Sequence, residues 1–187
     1  MFENKKLELT KDEMLLYLNE INERLASEGK HGEIMLVGGA ALTLVFNARN
    51  STRDIDAIFH PIDDMRKIIS SVAEKYDLEQ NWLNDLVRTF VTEKIEFEPY
   101  MEYSNLTVSS ANAESLLAMK LTSARVNTTN DMDDSIFLMK HLNIKTEKEL
   151  FDILDRHVDP FLRKVNVKHF TTEAFKKYIA EEKRKSN

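Results

Sequence analysis

The chain has 187 residues, about one domain's worth and enough to bury a core without staples. It has no cysteine, which excludes disulfides, thiolate zinc sites and a cysteine nucleophile. With 4 glycines, 3 prolines and 31% charged residues it is neither collagen-like nor low-complexity, and a net charge of -6 argues against a uniformly basic nucleic-acid coat.

The stretch 1–14 is charged and lacks the apolar region of a signal peptide. No segment approaches the roughly 20 apolar residues of a membrane span, so the expected location is the cytoplasm, with no membrane partner. Thr10 with Glu13 forms a capping-box pattern, and Met14, Leu15, Leu18, Ile21 and Leu25 repeat at helical spacing, predicting a helix that ends near Ser27–Gly32. Ile34 to Val37 is a short apolar run ending at Gly38-Gly39, the profile of a buried strand. A short helix is predicted from Ala40 to Phe46. Asp54 to Phe59 reads as a second strand whose two aspartates, separated by Ile55, fall on one face.

Pro61 is expected to open a helix through Met65, Ile68, Ile69 and Val72 to about Tyr76, and Trp82 to Phe90 reads as another short helix. Residues 91–110 carry strand-like patches, clearest at Asn105–Val108. Beyond them the pattern is helical. Asn112 with Ser115 starts a helix to about Val126, Asp131–Leu142 and Thr146–His157 follow, Pro160 breaks the chain, and Thr171–Lys185 closes it. This order predicts an α/β (α+β) lobe over 1–110, with a small mixed or mostly antiparallel sheet flanked by helices. A helical C-terminal lobe over 111–187 follows, within one compact domain. Residues 160–187 hold 8 Lys/Arg against 3 Asp/Glu, a basic end of about +5 on a body of about -11.

The chemistry concentrates where a strand ends in Gly38-Gly39, a helix follows, and Asp54-Ile55-Asp56 comes about 15 residues later. Glycines at a strand end let a phosphate approach the backbone, because no Cβ blocks it, and the helix that follows turns free N–H groups toward the anion. Two carboxylates on one strand face suit a hard cation such as Mg²⁺, or Mn²⁺, whose shell is completed by triphosphate oxygens and water. Either half of this pattern is common alone; the order of the parts is what is specific.

That order resembles the DNA polymerase beta-like nucleotidyltransferase superfamily. The downstream Leu116-Leu117-Ala118-Met119-Lys120-Leu121, Ala124-Arg125 and Asn130-Asp131-Met132-Asp133-Asp134 look like the second half of the abortive-infection (AbiE-type) nucleotidyltransferase toxins. The resemblance covers roughly residues 30–142. It implies a nucleotidyltransferase fold, an NTP substrate, and tRNA or protein as acceptor within a toxin–antitoxin pair. It further implies that Gly38 and Gly39 cradle the triphosphate, Asp54 and Asp56 bind the metal, Lys120 contacts phosphates and Asp134 completes the site. Arg53 adds a phosphate contact or a salt bridge.

From the residues alone, Lys120 lies in an otherwise apolar run and must either pair with a counter-charge or snorkel. Asp131 reads as an N-cap. The third carboxylate common in the superfamily is missing from the best-fitting strand, which offers Thr107; Glu96, Glu98 and Glu102 are the substitutes. Ala40 stands where many members have serine. These departures keep a second reading open: a catalytically degenerate, nucleotide- or partner-binding module of antitoxin-like type. The five histidines show no metal-ligand spacing, and Trp82, Phe90, Met119, Met132 and Met139 read as core.

Overall fold

A computed structural model of the chain describes residues 8–123 and 129–185. It divides into two compact units: residues 8–91 with Phe97–Ala111, and Thr92–Glu96 with the chain from Asn112 onward. Ala124-Arg125 and the expected helix end at Val126 lie outside the described residues.

In the first unit β1 (Leu9–Thr10) leads into α1 (Lys11–Ser27). The Thr10 hydroxyl accepts the Glu13 N–H, and the Glu13 carboxylate accepts the Thr10 N–H at 3.0 Å, the reciprocal cap the sequence predicts. Met14, Leu18, Ile21 and Leu25 are fully buried, as a single helical stripe requires. The strand β2 (Gly32–Leu36), the short helix α2 (Gly38–Leu44), β3 (Ser51–Thr52) and β4 (Ile55–His60) come next. The helix α2 therefore begins two residues earlier than expected and takes both glycines into its first turn. Next comes α3 (Ile62–Tyr76), which is tied to α1 by Glu20: that carboxylate accepts from Lys75 at 2.6 Å and from Arg24 at 2.9 Å.

The segment after α3 corrects the expected Trp82–Phe90 helix. Leu83–Asn84 is a two-residue strand, β5, and Leu86–Thr89 a single 3₁₀ turn. The indole of Trp82 is buried and donates to the Ile69 carbonyl at 3.2 Å, while the Trp82 carbonyl accepts the Ile55 N–H at 2.7 Å. Once the indole is seated on α3, the backbone beside it satisfies the open edge of β4, which a helix could not do. The strands β6 (Phe97–Glu102) and β7 (Leu106–Ala111) complete a five-stranded sheet of order β5-β4-β2-β7-β6. It is mixed: β2 is antiparallel to β4 and parallel to β7, β4 is parallel to β5, and β6 is antiparallel to β7. The β1–β3 pair stands apart. These directions bring the ends of β2 and β7 and the starts of β4 and β5 to one edge of the sheet.

The second unit is helical: α4 (Ala113–Ser123), α5 (Thr129–His141), α6 (Glu147–His157), a 3₁₀ turn at Pro160–Leu162 and α7 (Val165–Lys185). Asn112 caps α4 through the Ser115 N–H at 2.8 Å, and Thr146 caps α6. The last helix starts six residues before the expected Thr171, since the buried Val167 already belongs to its apolar face. Among the described residues, no helix is long and apolar enough to cross a membrane.

Candidate active site

At the shared sheet edge the chain leaves β2 through Val37, whose N–H donates to the Asp56 carbonyl at 3.0 Å. Gly38 then takes φ +59°, the left-handed region that glycine enters without strain. A Cβ on Gly38 would stand 3.3 Å from the Asp56 carboxylate oxygen Oδ2. A Cβ on Gly39 would meet the Thr52 hydroxyl at 2.6 Å and the Arg49 guanidinium at 3.4 Å. The two glycines are thus the condition for a close approach: a carboxylate lies against one, a hydroxyl and a cation against the other.

Asp56 lies on β4, and Asp54 precedes the first paired residue of that strand, Ile55. Burial pushes the Asp54 carboxyl above the ordinary aspartate range, opposed by the Arg53 charge, the Asn84 side-chain amide and a backbone N–H. Asn84 sits beside Asp56 in the β4–β5 register, so the misread segment supplies a partner of the site. Asp54 and the exposed Arg53 line a cavity of about 220 Å³ with Leu9, Leu78, Glu79, Asn81 and Trp82.

The oxygen donors fit a hard divalent cation. Mg²⁺ is commonly held by one or two carboxylates and completed by water and substrate phosphates rather than by an all-protein cage. The pair Asp54 and Asp56 is such a set, and the missing Cβ of Gly38 leaves the Asp56 carboxylate accessible from the turn. Among the described residues, no three His, Cys, Asp or Glu side chains are grouped to hold a metal by themselves.

The third carboxylate expected on a later strand is not brought to the pair by the sheet. Thr107 pairs with Glu33 at the far end of β2, and the β7 residue level with Leu36 is the buried Ser110. Glu98 lies opposite Ser110, but on β6, three strands from β4. At about 4.8 Å per strand that is on the order of 14 Å, too far to share an ion with Asp56. Glu102 is level with Thr107 at the distant end, and Glu96 belongs to the second unit, where its carboxylate accepts from the Asn112 amide at 2.9 Å.

Lys120, Asp131 and Asp134 form their own cluster in the second unit. The Lys120 ammonium reaches Asp131 at 2.9 Å and Asp134 at 3.0 Å, and Asp134 is only 4% exposed. Lys120 is therefore paired rather than snorkelling. Asp131 is not an N-cap: α5 begins two residues before it, so its carboxylate projects from the first turn toward Lys120.

A second cluster in this unit has the look of a nucleophilic triad. The buried Ser115 hydroxyl lies 3.3 Å from His157 Nδ1, and His157 Nε2 lies 3.3 Å from Glu114. But Nδ1 also contacts the Lys94 carbonyl at 2.9 Å. A carbonyl can only accept, so Nδ1 carries the proton and cannot take one from Ser115. Ser115 instead accepts the Glu96 N–H at 2.9 Å. The cluster clamps residues 94–96 to α4 and α6.

Sequence reasoning missed Arg49, Thr52 and Asn84. Thr52 was within reach, since Thr52, Asp54 and Asp56 continue one alternation; Arg49 carries no such spacing signal.

The family model described as "Nucleotidyltransferase of unknown function (DUF6036)" matches residues 13–183. No curated protein and no solved structure matched the chain.

Proposed function

Since the chain belongs to this nucleotidyltransferase family, we propose that it is a Mg²⁺- or Mn²⁺-dependent enzyme that moves a nucleoside monophosphate from an NTP to an acceptor hydroxyl. The observation that carries this reading is the apposition of the Gly38–Gly39 turn and the Asp56 carboxylate at one sheet edge. A triphosphate can lie on backbone there while the carboxylates hold its counter-ion. Asp54 and Asp56 would hold the metal, which when bound supplies Lewis-acid neutralisation of phosphate charge.

The chain's own groups do the rest. Gly38 and Gly39 open the backbone to the phosphates; Arg53, with Arg49 beside Gly39, offers guanidinium charge to them. Lys120 is assigned to phosphate contact and Asp134 to completing the site, as the resemblance implies. The acceptor oxygen attacks the α-phosphorus, the bond to pyrophosphate breaks, and the hydroxyl proton leaves to solvent. Likeness to the AbiE-type toxins extends the reading to a cytoplasmic protein acting on tRNA or a protein acceptor, with a cognate antitoxin as partner.

A second reading, a nucleotide-binding module without transfer, is favoured by the distance of Glu98 from the aspartate pair. Incubation of the protein with Mg²⁺, each α-labelled NTP and total tRNA separates the two. The enzyme reading expects label in tRNA or protein that vanishes in Asp54→Ala; nucleotide binding with no label transferred selects the module.

A further inference from the structure

The cavity beside Asp54 lies apart from the Gly38–Gly39 turn, none of whose residues lines it. Its floor is apolar, from Leu9, Leu78 and Trp82, and its wall carries the Asp54 carboxylate. On its rim stand the exposed Glu79 and Asn81, whose side chains make no hydrogen bond or ion pair to any described residue. Across Asn81 lies a second cavity of about 220 Å³, lined by Phe59, Arg66, Ser70, Gln80, Asn84 and Leu86. Asn81 is the divide between the two and borders both.

The polar groups around Asn81 are not equally available. The Asn84 amide nitrogen donates to the Asn81 carbonyl at 3.3 Å and its oxygen accepts the Leu86 N–H at 3.1 Å. The Gln80 amide oxygen accepts from Ser70 at 2.8 Å. Arg66 is spent on Asp85 at 3.2 Å. The carboxylate of Glu79 and the amide of Asn81 are the rim groups left to a ligand.

Position decides what that ligand is. The phosphate-accepting side of the site is the Gly38–Gly39 turn, against Asp56, Thr52 and Arg49. None of those five residues lines the Asp54 cavity. A nucleotide whose triphosphate runs along the turn and whose α-phosphate sits at the aspartate pair leaves its sugar and base to the other side, toward Asp54. A carboxylate is the usual reader of ribose hydroxyls, and a side-chain amide offers one donor and one acceptor to a base edge.

We propose that the Asp54 cavity seats the nucleoside of the NTP, with Glu79 hydrogen-bonded to the ribose hydroxyls and Asn81 reading the base. The proposal rests on the nucleotidyltransferase reading above and adds a specificity site to it. Arg53, on the same wall, stands where sugar and α-phosphate meet.

The test is equilibrium binding by the full chain in Mg²⁺, with ATP, dATP, the other three NTPs and inorganic tripolyphosphate as probes. The wild type is expected to bind ATP more tightly than dATP and tripolyphosphate. Glu79→Ala is expected to weaken ATP about tenfold, the worth of a lost hydrogen-bonding carboxylate, with dATP and tripolyphosphate unchanged. Asn81→Ala is expected to flatten the ranking among the four NTPs. Both residues are exposed, so the variants fold. If neither variant alters the ATP:dATP ratio or the NTP ranking while tripolyphosphate still binds, the nucleoside lies elsewhere and this proposal is overturned alone. If the wild type binds neither NTPs nor tripolyphosphate in Mg²⁺, the nucleotidyltransferase reading falls and takes the proposal with it.

Discussion

Asp54 in the first unit is half-buried and Asp134 in the second is buried, and their surroundings differ in kind. Asp134 is 4% exposed and has the Lys120 ammonium 3.0 Å away; the cost of burying its charge is met inside the protein. Asp54 has a neutral amide from Asn84 and the charge of an exposed arginine, and burial still holds its carboxyl above the usual range. A half-buried acid whose ionised form is disfavoured by its surroundings is an arrangement that folding alone does not favour. It makes sense where a ligand brings the missing positive charge. The two regions therefore differ in how a carboxylate's charge is met: beside Asp134 by an ammonium, beside Asp54 by an amide, a backbone N–H and an exposed guanidinium.

The sharpest way to break that contrast is to remove carboxylates on each side. Asp54→Ala or Asp56→Ala is expected to lower Mg²⁺-dependent label transfer from NTP by about 10³-fold, since several kcal/mol of charge stabilisation are at stake. Asp133→Ala, an exposed acid of the second unit near Lys177, is expected to leave transfer unchanged. Equal losses from all three would show that negative charge in general, not the pair at the sheet edge, sustains activity.

The converse experiment acts on stability. Lys120→Met removes the ammonium between two carboxylates that are 18% and 5% exposed in their side chains, and is expected to cost about 3 kcal/mol in chemical denaturation. Adding Asp131→Asn and Asp134→Asn to the same variant should recover most of the loss, because the two side chains facing the lost ammonium no longer carry charge. No recovery would mean that packing of the lysine stem, rather than its charge, is what the helices use.

A smaller effect is expected at the turn. Gly39→Ala places a Cβ 2.6 Å from the Thr52 hydroxyl and should destabilise by about 1–3 kcal/mol through overpacking. Pairing it with Thr52→Ala should return part of that, a coupling that a double-mutant cycle measures. Additive losses would place the strain elsewhere in the turn.

What could be read beforehand followed from local chemistry. The Thr10–Glu13 cap and the buried stripe from Met14 to Leu25 depend on residues three and four apart. The order strand, Gly38-Gly39, helix, aspartates is a property of the chain itself. What escaped depends on pairing between distant segments. Leu83–Asn84 is too short to show any alternation, and it is a strand only because β4 presents an open edge to it. Asp131 was misread because Thr129 and Asn130 already belong to the helix, which turned a cap into a first-turn side chain. Whether Thr107 or Ser110 stands level with the site depends on the register of β7 on β2, which no spacing within β7 encodes. Arg49 meets Gly39 through the fold of the loop between them.

The finest test of the contrast is the sign of a pH effect, measured in a chelator so that no cation masks it. The Asp54 carboxyl sits above its reference value of 3.8 in the folded protein, so the folded state holds that proton more tightly than the unfolded state does. Its favourable contribution is complete below pH 3.8 and is lost as the pH rises through the folded value; at neutral pH the ionised group opposes folding. Glu114 behaves in the opposite way. Burial pushes it up, but hydrogen bonds from Arg156 and His157 outweigh that and hold it below its reference value of 4.5. Its contribution is present above pH 4.5 and fades as the pH falls through the folded value. Asp54→Asn should thus stabilise the protein at pH 7, with the gain disappearing in acid. Glu114→Gln should destabilise it at pH 7, with the loss disappearing in acid. Denaturant midpoints across pH 3–7 would show two curves of opposite sign converging at low pH. Curves of the same sign would mean that Asp54 is as well compensated as Glu114, and that the sheet edge has no charge left over for a metal.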